Sequence, residues 1–175
     1  MSFDLESYIY DVPNFPSEGI IFKDITPLLS DSDALNHTID QLVEFAQPLK
    51  PDYVIGTESR GFILGGALAS KLECGLLIAR KPGRLPRETV QAKYELEYGS
   101  DVLELHSDSV EDGSRILIHD DLLATGGTAR ATESLVKQLG AEVVGLAFIV
   151  ELSFLEGRRH FGETPIKSLI QIDDN

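Results

Sequence analysis

The sequence predicts an α/β domain built on a mostly parallel central sheet that helices flank. Strand-like and helix-like segments alternate along most of the chain, which is the pattern of α/β domains. The strand-like segments, such as LLIA at 76–79 and GLAFIV at 145–150, are almost continuously apolar, which is typical of parallel strands covered on both faces. The 175 residues fit a single domain over positions 1–175.

The first half of the chain supplies the first helices and strands of this alternation. Residues 1–33 carry proline and glycine punctuation, so we expect an irregular segment. Apolar residues that share one face predict a helix over 33–47, which Ser32 or Asp33 caps and Pro48 ends. The next patterns predict a strand at YVIG (53–56), a helix over 60–73 that Gly75 ends, and a strand at GLLIAR (75–80).

Residues 81–101 differ from their surroundings, because they combine prolines, glycines and many charges without a sustained period. We predict a long flexible loop that can include a hairpin, and loops of this length in compact domains are usually functional or disordered. The later patterns predict strands at 103–106, 115–120, 142–152 and 166–172, and a helix over 128–140 that Gly140 closes.

Composition and charge exclude several classes of function. The formal net charge of −14 predicts that the chain repels nucleic acid and anionic membranes. No apolar run approaches the roughly 20 residues that cross a bilayer. Cys74 is the single cysteine, which excludes an internal disulfide and favours a cytoplasmic location. The four histidines have no metal-ligand spacing, and we interpret His119 as a partly buried strand residue.

Three loops follow predicted strands at the edge of the sheet where ligands of parallel sheets bind. They are GTESRG at 56–61, RKPGRLPR at 80–87 and HDDLLATGGT at 119–128. The basic residues of the second loop are a candidate anion clamp, or else a solvated surface loop. The first loop departs from a P-loop and from a nucleophile elbow, so we expect a tight turn that presents Arg60 to an anion. The alternative for Arg60 is a surface salt bridge with Glu58.

The third loop carries the most specific chemical signal. In ATGGT, two glycines and the start of a helix free several backbone amides, which suits a terminal phosphate. Asp120 and Asp121 do not bind phosphate, but their carboxylates accept hydrogen bonds from vicinal hydroxyls or hold a hydrated cation. Together these features predict a sugar phosphate as ligand. The structural alternatives are a threonine-capped turn and an exposed acidic turn.

HDDLLATGGT resembles the phosphoribosyl-pyrophosphate (PRPP) signature of type I phosphoribosyltransferases. FPSEGIIFKDITPLL, GTESRGF, RKPGRLP, YELEYG and VELSFLEGR resemble the corresponding motifs of the adenine phosphoribosyltransferases, in the same order and over nearly the whole chain. The resemblance implies the type I phosphoribosyltransferase fold, with residues 1–33 as a small N-terminal hood and 81–101 as a flexible catalytic loop. It also implies purine salvage, in which adenine and PRPP give AMP and pyrophosphate with Mg²⁺.

The same resemblance assigns roles to individual residues. It implies that Ala124, Thr125, Gly126, Gly127 and Thr128 hold the 5′-phosphate and that Asp120 and Asp121 engage the ribose hydroxyls. Glu58, Ser59 and Arg60 become a pyrophosphate loop, often with a non-proline cis peptide, and Arg80, Lys81 and Arg84 also contact pyrophosphate. Ile21, Phe22, Lys23 and Leu152 become the adenine site, and Glu97 and Arg60 become catalytic.

The resemblance also sets expectations for partners, for the metal and for one departure from the family pattern. It implies a homodimer, in which basic residues can reach the partner's site, and Mg²⁺ held mainly by PRPP and water. His119 stands where the pattern usually has an aliphatic residue. Two alternatives stay open: transfer to another purine base, and a non-enzymatic PRPP-sensing regulator. Such regulators usually carry an added nucleic-acid-binding domain, for which this sequence has no spare residues. The acidic net charge also disfavours binding to DNA.

Overall fold

A five-stranded parallel sheet forms the centre of the fold in the computed structural model, which describes residues 4–95 and 99–173. Its strand order is β4-β3-β7-β8-β9, and every neighbouring pair is parallel. The strands are β3 Tyr53–Thr57, β4 Gly75–Ala79, β7 Arg115–Leu123, β8 Glu142–Leu152 and β9 Ile166–Ile172. The predicted α/β class and parallel sheet are therefore confirmed, and β7 continues three residues beyond the predicted end at position 120.

Helices cover both faces of this sheet. They are α1 Thr26–Ser30, α2 Ser32–Ala46, α3 Gly61–Lys71 and α4 Gly127–Gln138. Val54 of β3 and Leu117 of β7 pack with residues of α2 and α3. Their neighbours Ile55 and Ile116 pack with α4, because successive side chains of a strand point to opposite faces. This two-sided burial explains why the strands read as continuous apolar runs.

The start of α2 differs from the prediction by one residue. Asp31, rather than Ser32 or Asp33, is the N-cap, and its Oδ1 accepts hydrogen bonds from the amides of Asp33 at 3.0 Å and Ala34 at 2.9 Å. All three residues are good caps by type, so the sequence did not distinguish them. The backbone decides, because Asp31 has the extended conformation that an N-cap requires.

The predicted irregular segment 1–33 is largely ordered, and this prediction was wrong. Strands β1 Tyr10–Pro13 and β2 Ile21–Asp24 form an antiparallel hairpin, with a cis Phe15–Pro16 peptide in its connection. The strands have only four residues each, which is too short for an alternating pattern to stand out. Leu5, Ile25 and Leu28 are buried and fix this hood to the core.

The predicted loop 81–101 contains one strand of a hairpin, a feature that the sequence analysis permitted within this loop but did not locate. Strand β5 Thr89–Glu95 pairs antiparallel with β6 Ser100–His106, which extends the predicted strand at 103–106. Ala92 and Tyr94 of β5 are buried against α4, while the residues between them are exposed. Charged residues on the outer face concealed this alternation. Residues 96–98, between β5 and β6 in the sequence, lie outside the described residues.

Among the described residues, no helix is both long enough and apolar enough to cross a membrane.

Candidate active site

A cavity of about 270 Å³ lies at the carboxyl ends of β3 and β7 and at the start of α4. Eleven of the predicted site residues line it: Glu58, Ser59, Arg60, Lys81, Asp120, Asp121, Ala124, Thr125, Gly126, Gly127 and Thr128. The remaining lining residues are Tyr94, Leu122, Leu123 and Ala129. The three loops that the sequence placed at one edge of the sheet therefore do meet there.

Residues 124–128, which we call the phosphate turn, connect β7 to α4. Gly126 has a φ of +86°, a conformation that side chains disfavour, and no side chain caps the helix that follows. The first amides of a helix have no intrahelical partner, so those at the start of α4 are free to bind an anion. A Cβ atom on Gly127 would lie 3.1 Å from the carbonyl oxygen of Glu95, a contact that a larger residue could make only if this backbone moved slightly.

The acidic pair occupies the last part of β7. Asp121 is buried, with 3 % of its surface exposed, and Asp120 is half-buried. Burial, followed by the adjacent carboxylate of Asp121, raises the pKa of Asp120 well above its usual range. The Nε of Arg60 lies 3.0 Å from Oδ2 of Asp121 and partly offsets this repulsion. Two carboxylates with one cation beside them leave capacity for a hydroxylated or cationic ligand.

Arg60 does not pair with Glu58, so the surface salt bridge considered for it is absent. Its guanidinium carbon instead lies 4.7 Å from the ring centroid of Phe22, in addition to its contact with Asp121. Phe22 in turn meets Phe15 edge to face, with 5.1 Å between the centroids. Arg60 therefore joins the acidic pair to the N-terminal hood.

Glu58 organises the basic loop that follows β4. Its Oε2 accepts hydrogen bonds from the Lys81 amide at 2.8 Å and from Nε of Arg80 at 3.3 Å, and Nε of Arg84 lies 3.5 Å from Oε1. Burial raises the pKa of Glu58, but these hydrogen bonds and charges outweigh it and hold the pKa below its ordinary value. The peptide bond between Glu58 and Ser59 is cis, as the resemblance implied.

Of the described residues Arg80, Lys81 and Arg84, which the resemblance assigns to pyrophosphate, Lys81 alone lines the cavity. Arg80 and Arg84 stay with Glu58, and Arg80 also lies over Phe62 at 5.8 Å from the ring centroid. Lys81 forms an ion pair with Asp101, and its Nζ lies 3.3 Å from the hydroxyl of Tyr94.

Tyr94 is a cavity residue that the sequence analysis missed. It lies on β5 and donates a hydrogen bond to Oδ2 of Asp101 at 3.2 Å. The motif YELEYG contains it and was the available signal, but the analysis took only Glu97 from that motif. Glu97 itself lies outside the described residues.

The predicted adenine-binding residues do not line the cavity, and Phe22 is the one with a recorded contact to a lining residue among those described. Phe22 reaches the rim through Arg60, while the Nζ of Lys23 pairs with Asp11 at 2.6 Å. Ile21 is exposed on the same strand. Leu152 ends β8 and is half-buried against the core cluster that contains Ile149.

His119 is fully buried, whereas the sequence analysis predicted a partly buried strand residue. Its Nδ1 lies 2.9 Å from the carbonyl oxygen of Ala147, and its Nε2 has no hydrogen-bond partner among the described residues. Burial lowers the pKa of His119 to about 4, against 6.5 in the unfolded chain. The unfolded state therefore binds more protons between these values, and stability is lost as the pH falls through this window.

Replacing His119 with leucine should remove this acid sensitivity. From pH 7 to pH 5 the wild-type chain should lose about 2 kcal/mol of unfolding free energy through this group, because only the unfolded histidine takes up a proton. Urea unfolding at both pH values measures the loss. The matched control is His160→Leu at an exposed site, which should lose stability as the wild type does. Equal losses in all three proteins would contradict the assignment.

Comparison with known proteins places this geometry in a family. The phosphoribosyl transferase domain matches residues 27–172. The curated adenine phosphoribosyltransferase of Crocosphaera subtropica is 52 % identical over 169 residues, which cover 95 % of this chain and 98 % of that protein. That of Thermotoga petrophila is 52 % identical over 167 residues, with 95 % and 98 % covered.

Solved structures agree with the sequence comparison. Adenine phosphoribosyltransferase from Thermoanaerobacter pseudethanolicus superposes with a TM-score of 0.93 at 46 % identity, covering 97 % of this chain and 98 % of the other. The enzyme from Saccharomyces cerevisiae, solved with adenine and an imino-altritol bisphosphate, gives a TM-score of 0.88 at 41 % identity, with 95 % and 96 % covered.

Proposed function

The chain belongs to the adenine phosphoribosyltransferases, and we propose that the cavity beside Asp120 and Asp121 transfers the phosphoribosyl group of PRPP to adenine, giving AMP and pyrophosphate. One observation carries this placement. The phosphate turn and the acidic pair, which recognise the two ends of a ribose 5-phosphate, line the same cavity. The cations that suit pyrophosphate, Arg60 and Lys81, line it as well.

The three groups of lining residues suggest one orientation for PRPP. The 5′-phosphate binds the amides and hydroxyls of the phosphate turn, where the positive end of the α4 dipole stabilises it. The ribose hydroxyls donate hydrogen bonds to Asp120 and Asp121. The pyrophosphate group then extends toward Ser59, Arg60 and Lys81, whose charges stabilise it as it leaves.

Breaking the bond between C1 of the ribose and pyrophosphate builds positive charge on the sugar ring. The two carboxylates lie beside the proposed ribose position and stabilise that charge, while Lys81 and Arg60 stabilise the negative charge of the leaving group. Closure of the predicted catalytic loop, residues 81–101, over the cavity would exclude water, which otherwise hydrolyses PRPP.

Mg²⁺ is the proposed cofactor. Among the described residues, no three His, Cys, Asp or Glu side chains converge to cage a metal. The residues present nevertheless fit an ion held by PRPP and water, because Asp120 and Asp121 are adjacent and have only Arg60 as a close cation. They would accept hydrogen bonds from its water ligands, and the ion would neutralise pyrophosphate oxygens.

Adenine is proposed to bind between the hood and the end of β8. Phe22 and the backbone of Ile21 lie on the hood strand β2, and Leu152 ends β8. A backbone carbonyl and amide can together read the N6 donor and N1 acceptor of adenine, whereas oxopurines invert this pattern. Lys23 contributes through its backbone, because its ammonium group already pairs with Asp11.

A homodimer is proposed from the family resemblance, and two features of the chain support it. Ile63 on α3 and Leu76 on the edge strand β4 are exposed by 52 % and 41 %. Arg84 does not line the cavity of its own chain, and its side chain is 58 % exposed, which leaves it accessible to a partner. Sedimentation of the purified chain tests this state, and a monomer at assay concentration would contradict it. We also propose a cytoplasmic location, which the single cysteine favours.

The test of the proposed function is AMP formation from PRPP and Mg²⁺ with each purine base in turn. Adenine should be converted with release of pyrophosphate, whereas guanine, hypoxanthine and xanthine should not be converted. Conversion of an oxopurine in preference to adenine would overturn the assigned base. Binding of PRPP without pyrophosphate release would instead favour a PRPP sensor.

Replacing Glu97 with glutamine should lower kcat by roughly 100-fold and change KM for PRPP little, because loss of a general base slows the chemical step and not substrate binding. Steady-state kinetics with both substrates measure the split. Glu95→Gln, two residues earlier in the sequence and exposed, is the matched control and should retain activity. A Glu97→Gln enzyme as active as this control would remove Glu97 from the mechanism.

A further inference from the structure

The turn that follows β8, which contains Gly157, packs directly against the phosphate turn. A Cβ atom on Gly157 would overlap the carbonyl oxygen of Ala124 and would lie 3.0 Å from the amide nitrogen of Gly126. Gly157 does not have a positive φ, so glycine is required there for space and not for backbone conformation. The backbone of Gly157 therefore packs directly against the backbone of the phosphate turn.

An ion pair fixes Arg158, the residue that follows Gly157. The guanidinium of Arg158 forms a two-pronged contact with Glu151, with Nε 3.0 Å from Oε1 and Nη2 2.6 Å from Oε2. Its Nη1 also donates to the carbonyl oxygen of Ile166 at 3.4 Å. This geometry matches the fork of a guanidinium to a carboxylate and restricts the position of Arg158 strongly.

Glu151 is buried near the carboxyl end of β8, an inner strand of the sheet. Only 3 % of its surface is exposed, and it pairs in register with Leu123 of β7, the residue before the phosphate turn. Pairing with Glu151 therefore fixes the backbone of Leu123, where the phosphate turn begins. Through Arg158, the same glutamate also fixes the backbone of Gly157, which packs against that turn. Both constraints on the turn originate at one strand position.

We propose that Glu151 and Arg158 are positioning residues that hold Gly157 against the phosphate turn and so keep its amides in place for the 5′-phosphate of PRPP. This inference rests on the proposed function. A turn that is already ordered loses less conformational entropy on binding than a mobile one, so the pair increases affinity for phosphate without touching it.

The same turn provides a matched control. Arg159 and Glu156 form an ion pair with Nη1 2.5 Å from Oε2, but both side chains are largely exposed, at 67 % and 64 %. Solvent screens such pairs, so this one constrains the turn less than the contact between Arg158 and buried Glu151. Arg159→Met thus removes the same charge, one residue away, without removing the anchor.

Arg158→Met should raise KM for PRPP roughly tenfold relative to Arg159→Met, whereas kcat and KM for adenine should each change less than about threefold. Because Arg158→Met leaves Glu151 buried and unpaired, the double variant Glu151→Gln with Arg158→Gln serves as a second form without a buried charge. It should fold and show the same increase in KM. An equal KM for PRPP in the Arg159→Met protein and in both anchor variants would overturn the proposal.

Ligand binding separates this proposal from the proposed function. By calorimetry, ribose 5-phosphate should bind the two anchor variants about tenfold more weakly than the wild type, and pyrophosphate should bind all of them equally. If the wild type forms no AMP but this difference appears, the proposed function fails and the positioning role stands. If AMP forms but ribose 5-phosphate binds all variants equally, the positioning role fails.

Discussion

Replacing both Asp120 and Asp121 with asparagine is expected to lower kcat/KM for PRPP by about three orders of magnitude. Each hydrogen bond to a charged partner contributes about 1.5–3 kcal/mol, so two lost carboxylates account for roughly 3–6 kcal/mol of transition-state stabilisation. The loss should exceed that for a neutral polar contact, because the ribose becomes more positive in the transition state. Initial rates of AMP formation at varied PRPP concentration measure it.

The double variant should remain folded, which separates a chemical defect from a structural one. Asparagine has nearly the shape of aspartate, and the substitution removes two adjacent carboxylates whose mutual repulsion and burial raise the pKa of Asp120. Thermal unfolding should therefore occur at or above the wild-type temperature. A variant that is fully active would contradict the assignment of these residues to the ribose.

A control for net charge is available elsewhere on the surface. Asp40→Asn with Asp108→Asn also removes two negative charges, so both double variants have a formal charge of −12 instead of −14. Asp40 and Asp108 are exposed, pair with Lys71 and Arg87, and do not line the cavity. This control should keep wild-type activity, and a comparable loss would show that the general field of the chain, and not the ribose site, is responsible.

The sheet and its main helices could be predicted because the pattern of buried residues in each element appears within one continuous stretch of sequence. Each central strand is covered on both faces, and each helix has one apolar face, so residues close in sequence carry the signal. The hairpin of the hood could not be predicted in the same way. Its strands have four residues and place Tyr10 and Ile21 in solvent, so neither burial nor alternation marked them.

The site shows the same division between local and distant information. The phosphate turn and the acidic pair are contiguous in sequence, and residue types alone indicated their chemistry. The partners of Arg60 and Glu58 depend on which loops meet in space, and the simplest local pairing between them was wrong. Gly157 belongs to a motif that was noticed, but its contact with Ala124 joins residues far apart in the chain and required coordinates.

Replacing Arg60 with glutamine is expected to lower kcat/KM for PRPP by about two orders of magnitude. The change removes the cation beside buried Asp121, and because the charge of Arg60 also lowers the pKa of Asp120, it favours protonation of Asp120. Removing one partner of a buried ion pair costs about 3–5 kcal/mol of stability, and because 37 % of the Arg60 side chain is exposed we expect a loss of about 1–2 kcal/mol. Kinetics and urea unfolding of the same preparations measure both effects.

A second effect distinguishes Arg60 from a simple counterion. Its guanidinium stacks on Phe22 of the hood, so Arg60→Gln should also raise KM for adenine, which substitutions at Asp120 and Asp121 should not do. Arg87→Gln is the matched control, because Arg87 is exposed and pairs with Asp108, away from the cavity. An unchanged KM for adenine in the Arg60→Gln enzyme would remove the proposed link between the hood and the ribose site.

A double-mutant cycle decides how Arg60 contributes to the transfer. If it acts through Asp121, then Arg60→Gln should reduce kcat/KM for PRPP little further in an enzyme that already carries Asp121→Asn, because the interaction is already absent. If it acts on the departing pyrophosphate, the two losses should multiply. The 3.0 Å contact between Nε and Oδ2 predicts a coupling of at least tenfold between the two substitutions, and the part of the Arg60→Gln loss that persists in the Asp121→Asn enzyme measures its action on the departing pyrophosphate. Fully multiplicative losses would show that the ion pair is incidental and that Arg60 contacts the substrate directly.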